Sequence, residues 1–166
     1  MNYTLTEATD ANDFSSIAEL AKEVWHNTYD DIIGAEQVDY MLDKFQSTDA
    51  IQKDVQQNGY RYLIAKKDDS ILGYCGIKPE GNRQIFLSKV YVNPKFQRNG
   101  IAKTMIQYLI DEYRRLGYTH MHLTVNKNNS NAIAAYQKLG FCKSGELVTD
   151  IGNGFVMDDD TMILHF

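Results

Sequence analysis

The sequence predicts an α/β fold, a mixed sheet with helices on both faces. Three observations lead there. Early apolar residues recur at helical spacing, as in Phe14, Ile17, Leu20, Ala21 and Val24. The middle reads as two strands around the polar turn Lys67-Asp68-Asp69-Ser70, a hairpin signature. The second half then runs strand, helix, strand, helix, strand, strand. No repeat, low-complexity run or linker divides the 166 residues, so one domain over 1–166 is expected.

Taken in order, Tyr3 to Glu7 alternates and reads as a strand. Thr9-Asp10 offers an N-cap for a helix reaching about Trp25 or His26, with Trp25 to Asp31 as its polar and aromatic exit. A second helix is expected over Ala35–Phe45, and a third from Ser47-Thr48-Asp49 to Asn58-Gly59. Tyr60–Ala65 and Ile71–Ile77 form the hairpin, and Pro79-Glu80-Gly81-Asn82 a second turn. Gln84–Val92 is a long strand. A helix runs from about Gly100 to Leu116, with Ile101, Met105, Tyr108, Leu109 and Leu116 inward and Gly117 ending it. His120–Val125 is a strand, and Asn126 to Ser130 a polar loop. A short helix over Ala132–Leu139 stops at Gly140. Phe141–Val148 and Phe155–Phe166 are strands around the Gly152-Asn153-Gly154 turn.

Composition narrows the function classes. A net charge of −5 gives a nucleic-acid partner no support. No apolar run approaches the roughly 20 residues that span a bilayer. The start, Met1-Asn2-Tyr3-Thr4, lacks the basic and apolar regions of a signal peptide, so a cytoplasmic setting without membrane contact is expected. Cys75 and Cys142 have no metal-ligand spacing and read as two buried, reduced thiols; no metal is expected.

The stretch with the most chemical content runs from Val90 to Lys103. A strand ends at Pro94, a polar loop follows, and a helix opens at Gly100. The first amides of a helix lack internal partners and lie at the positive end of its dipole. With little side chain at Gly100 and Ala102, a bulky anion can lie against that backbone. The loop is not a Walker loop, because Ile101 follows Gly100 where a Lys is required. It also lacks the three spaced glycines of a dinucleotide fingerprint.

A second segment gives the loop a context. Gln97-Arg98-Asn99-Gly100-Ile101-Ala102 resembles the acyl-CoA pyrophosphate loop of the GNAT N-acetyltransferase superfamily. The segment from Asn129 through Ala132 and Tyr136 to Gly140-Phe141 resembles that family's later motif, in the right order and with a helix and a strand between the two. The resemblance implies a mostly antiparallel, twisted sheet in which a bulged strand splays from its parallel neighbour and admits the pantetheine arm. It implies acetyl-CoA as cosubstrate. The backbone at Val90 and Val92 would hold pantetheine. Gln97, Arg98, Asn99, Gly100, Ile101, Ala102 and Lys103 would form the pyrophosphate loop. Asn129 would contact pantetheine or cap its own helix. Tyr136, which alone would read as a core aromatic, takes the role of general acid for the departing thiolate, with a backbone N–H near Val90 polarising the carbonyl.

The base and the acceptor stay open. The strand Ile85 to Val90 carries no carboxylate, which leaves a water chain, Ser88, His26 or a residue of another element. On the acceptor side the resemblance points to Trp25, His26 and Tyr29. Aromatics and carboxylates there would suit an alkylammonium, although Met157-Asp158-Asp159-Asp160-Thr161 alone reads as a solvated turn. A diffuse similarity to bacterial spermidine/spermine-type polyamine N-acetyltransferases points to a small-molecule amine. A protein or peptide N-acetyltransferase and a non-enzymatic acetyl-CoA sensor are the alternatives. An exposed C-terminal strand edge could pair two chains as a homodimer.

Overall fold

The computed structural model describes residues 2–166. The chain runs β1 (Thr4–Glu7), α1 (Ala11–Ile33), α2 (Ala35–Phe45), α3 (Thr48–Gln57), β2 (Arg61–Lys67), β3 (Ser70–Glu80), β4 (Gln84–Val92), a 3-10 turn (Pro94–Phe96), α4 (Ile101–Arg115), β5 (His120–Asn126), α5 (Ser130–Lys138), β6 (Cys142–Gly152) and β7 (Phe155–His165). One seven-stranded sheet takes the order β1-β2-β3-β4-β5-β7-β6. Every neighbouring pair is antiparallel except β4 and β5. The α/β class and the helices on both faces are as the sequence predicts.

Two cores lie on opposite faces. Cys75, Leu87, Met121 and Leu123 pack with α4 residues Met105, Ile106, Leu109 and Ile110. On the other face Tyr62, Ile64 and Tyr74 pack with Phe14, Ile17, Ala21 and Val24 of α1 and with residues of α2 and α3. Asp10 caps α1: its side chain accepts from the Asp13 N–H while Asp13 closes the reciprocal half of the box.

Several boundaries differ from the sequence expectation. The first helix does not end at His26 but continues to Ile33, where Gly34 stops it at φ 87°. Trp25 and Tyr29, four residues apart, pack edge to face there with ring centres 5.9 Å apart, which holds the low-propensity last turns in place. Pro79 lies inside β3 rather than in a turn. Pairing with β2 ends at Ile77, so the missing N–H of Pro79 leaves no ladder bond broken on that side. On α4, Tyr108 and Leu116 are exposed, and Ile106, Ile110 and Tyr113 fill the inner stripe instead. Cys142 is exposed; only Cys75 is buried, and burial pushes its thiol up to about 12. The run Met157 to Thr161 is not a solvated turn but the middle of β7. β7 also lies between β5 and β6, so the open edge on that side of the sheet belongs to β6.

The pairing of β4 matters most for the site. Its parallel ladder with β5 covers only Gln84, Ile85 and Phe86, against His120, Met121 and His122. Against β3 the register skips at Gly76/Ile77, so that Ser88 is the extra, bulged residue. Beyond Phe86 the strands part while β5 pairs with β7 along its whole length. Close contact with β3 keeps β4 in place: a Cβ on Gly73 would sit 2.8 Å from the Tyr91 carbonyl oxygen and 3.3 Å from Val92 Cα. Gly73→Ala should therefore lower stability by about 1–3 kcal/mol, read as a lower urea midpoint at unchanged slope. An unchanged midpoint would show that β4 yields freely.

Candidate active site

A cleft of about 1260 Å³ fills the gap where β4 and β5 part. Val90 and Val92 belong to the α4 face of the sheet, whereas Tyr91 packs with the α1 face. The cleft is lined from both faces: by Val90, Ile101, Ala132 and Tyr136 on one, and by Trp25, Tyr29 and Tyr91 on the other. It therefore passes through the sheet.

One wall is an unpaired strand edge. The Asn93 N–H donates to the Leu72 carbonyl at 2.8 Å. By the alternation of a strand, Tyr91 also faces β3, and the backbone groups of Val90 and Val92 point into the gap. The Gln97 side chain donates to the Val92 carbonyl at 3.3 Å. Peptide groups with no ladder partner are what an extended, amide-bearing ligand needs.

The loop at the end of this edge turns sharply. Arg98 (φ 68°) and Gly100 (φ 73°) both adopt left-handed backbone. Gly100 is the N-cap of α4 and makes no side-chain cap, and the first i,i+4 bond of the helix is Thr104 N–H to Gly100 C=O. The amides of Ile101, Ala102 and Lys103 are left for an anion. Gln97, Arg98, Gly100, Ile101, Ala102 and Lys103 all line the cleft. Asn99 does not; its side chain donates to the carbonyls of Phe96 (3.0 Å) and Gln97 (3.3 Å) and holds the loop closed. Asn129 lines the cleft and also caps α5, accepting from the Ala132 N–H at 3.3 Å.

Tyr136 projects from α5, its ring edge-on to Phe141 at 5.6 Å. Its hydroxyl makes no hydrogen bond among the described residues. Burial raises its pKa above that of a free phenol, so it is protonated at neutral pH. Across the throat the Tyr29 and Tyr91 hydroxyls meet at 2.9 Å, and Trp25 lies 5.5 Å from the Tyr91 ring centre. Both of these phenols are raised chiefly by burial as well.

His26 is the expectation that geometry removes. It does not line the cleft. Nδ1 lies 2.6 Å from Asp30 Oδ1 and Nε2 2.8 Å from Asp39 Oδ1, an arrangement that makes both nitrogens donors. The bond to Asp30, before other causes, raises its pKa. It joins α1 to α2 with both ring nitrogens committed to carboxylates, so neither is free to take a proton from an acceptor. Sequence reasoning missed Lys89, half-buried in the cleft beside Ser88 Oγ (2.5 Å), whose ammonium burial lowers to about 8. It also missed the depth of Asp159, which is 5% exposed, lines the cleft and is raised to about 6, chiefly by burial. Alternation along β7, read together with the packing of Met157 on the α1 face, could have flagged Asp159.

A bulged strand parted from a parallel neighbour, with an amide-lined loop beyond it, is the architecture of an acyltransferase that takes its acyl group from a CoA thioester. Comparison with known proteins specifies the family: the model described as Acetyltransferase (GNAT) family matches residues 17–141. The chain belongs to this family of acyl-CoA-dependent N-acetyltransferases. It is 40% identical over 85 residues to the [ribosomal protein bS18]-alanine N-acetyltransferase of Salmonella typhimurium, covering 50% of this chain and 57% of that one. It is 33% identical over 94 residues to the chloroplastic GCN5-related N-acetyltransferase 6 of Arabidopsis thaliana, covering 56% and 31%. The chain thus spans only about a third to just over half of these curated relatives. Over the full length of both chains its fold matches the PaiA N-acetyltransferase of Thermoplasma acidophilum, solved in complex with coenzyme A, at a TM-score of 0.81 and 20% identity.

The His26 pair has a pH signature. A histidine raised in the folded state contributes stability below about pH 6.5 and loses it as pH rises through the folded value. His26→Ala should lower Tm more at pH 5.5 than at pH 9; an equal loss at both would mean that packing, not charge, is what the ring supplies.

Proposed function

We propose that this protein transfers an acetyl group from acetyl-CoA to a primary amine of a small molecule, polyamines included, as a single domain. The observation that carries the reading is the passage through the sheet. A donor entering along the Val90–Val92 edge and an acceptor entering past Trp25 and Tyr29 would meet in the gap.

Pantetheine amides would pair with the open Val90 and Val92 peptide groups, the Gln97 side chain giving way at Val92. The pyrophosphate would rest on the amides from Arg98 to Lys103, with the Arg98 and Lys103 side chains adding charge. Attack of the amine on the thioester carbonyl develops an oxyanion, which the Val90 N–H would stabilise. Collapse breaks the C–S bond, and the thiolate would take the Tyr136 proton. A phenol at or above about 10 giving its proton to a thiolate of about 8.5 is uphill by roughly 2 kcal/mol or more. The second amine proton, acidified by C–N bond formation, returns to the tyrosinate and closes the cycle. A cytoplasmic setting belongs to this reading; no helix among the described residues is long and apolar enough to cross a membrane.

The aromatic wall of Trp25, Tyr29 and Tyr91 favours a compact cation over an extended peptide. A peptide N-terminus is the second reading, favoured by the bacterial relative named for ribosomal alanine acetylation. Release of CoA from acetyl-CoA in the presence of polyamines, amino acids and peptides discriminates the two. Tyr136→Phe should keep acetyl-CoA affinity within twofold by calorimetry while kcat falls about 10²–10⁴-fold. A kcat within threefold of wild type would remove the general-acid role.

A further inference from the structure

We propose that Asp159 is the carboxylate that receives the acceptor's ammonium and takes its proton. This rests on the transferase reading and names the group which that reading leaves open. Asp159 lies mid-strand on β7, opposite Asn126 of β5 and Leu147 of β6. Strand alternation puts it on the same face as Met157, which packs with the α1 core. It therefore lines the cleft on the acceptor side, on the face that carries Trp25, Tyr29 and Tyr91.

Its neighbours on the strand are neutralised and it is not. Asp158 pairs with Lys127, and Asp160 lies 3.4 Å from Lys143, which also holds Glu146 at 3.0 Å. Asp159 has no ion pair and no hydrogen bond among the described residues, though only 5% of it is exposed. Trp25 Nε1 is the one side-chain polar atom among them that is both sealed and unpartnered. The Asp159 oxygens, equally without partners, therefore keep access to the cleft. The other carboxylate in the cleft, Asp54, already accepts from Asn58 at 2.9 Å. The groups around Asp159 are the Tyr29 phenol from α1, Asn126 from β5, and the Asp158 and Asp160 carboxylates, with Lys127, Lys143 and Glu146 outside them. No cation among the described residues pairs with it, so the fitting occupant is a cation from solution, a primary ammonium.

The step balances. The ammonium gives one proton to the Asp159 carboxylate, which passes it to water through the open mouth. The neutral amine attacks the thioester, the C–S bond breaks, the thiolate takes the Tyr136 proton, and the second nitrogen proton restores Tyr136. The products are the N-acetyl amine and CoA thiol.

The test uses the full chain, acetyl-CoA, and three acceptors: spermidine, lysine and an alanine-initiated hexapeptide. For the acceptor that wild type uses, kcat/KM should fall away below an acidic limb near pH 6. Asp159→Asn should lower kcat/KM about 100-fold or more and abolish that limb, with the acetyl-CoA Kd within twofold. A carboxylate raised in the fold destabilises it above its folded pKa and not below the unfolded one, so Asp159→Asn should melt no lower than wild type at pH 8. Retention of the limb, or activity within fivefold, overturns the assignment while the transferase reading stands. CoA release from none of the acceptors by wild type, with acetyl-CoA bound, overturns both.

Discussion

The structure depends on a hydrogen-bond ladder that stops. β4 and β5 share only three register pairs, and a bulge at Ser88 lies just past the last of them. Unpaired peptide groups inside a protein are costly unless something satisfies them. Here the cost is borne along the two strand edges that face the gap, because β3 holds the other side of β4 and β7 the other side of β5. At the fork, Phe86 and His122 stack at 5.1 Å, and His122 Nε2 lies 2.5 Å from Glu80 Oε1. The wedge is thus pinned where it begins and open where it is used.

The gap also explains the abnormal protonation around it. Tyr29, Tyr91 and Tyr136 are raised, Lys89 is lowered and Asp159 is raised, and in each case burial is the leading cause. All of these shifts move a group toward its neutral form, which is what burial does to charge. The charged contacts stay at the two ends, in the loop before α4 and at the mouth beside β7.

What could be read from the sequence followed how local the cause was. Gly100, Asn129 and the Asp10 cap act through their own backbone within four residues, so their spacing is enough to find them. The parallel pair and the bulge came only through family resemblance, because nothing in Ile85 to Val90 itself marks a splay. The last turns of α1 were missed because Asn27 to Asp31 are poor helix formers, and the packing of Trp25, Tyr29 and Tyr91 overrides that preference. Asp159 was hidden by its neighbours: three consecutive acids look like a solvated turn until strand alternation turns the middle one inward. His26 looked like a base because its two partners, one a turn away and the other on α2, are not visible as a pair in the sequence.

The placement of β7 has a consequence for the edges of the sheet. β7 follows β6 in the chain but lies inside it in the sheet. β6 reaches the sheet only through β7, with which it forms a hairpin about Gly152-Asn153-Gly154, so the outermost strand is held by a neighbour that follows it in the chain. Without this hairpin β5 would present an unpaired backbone edge along its whole length, a template for pairing with another chain.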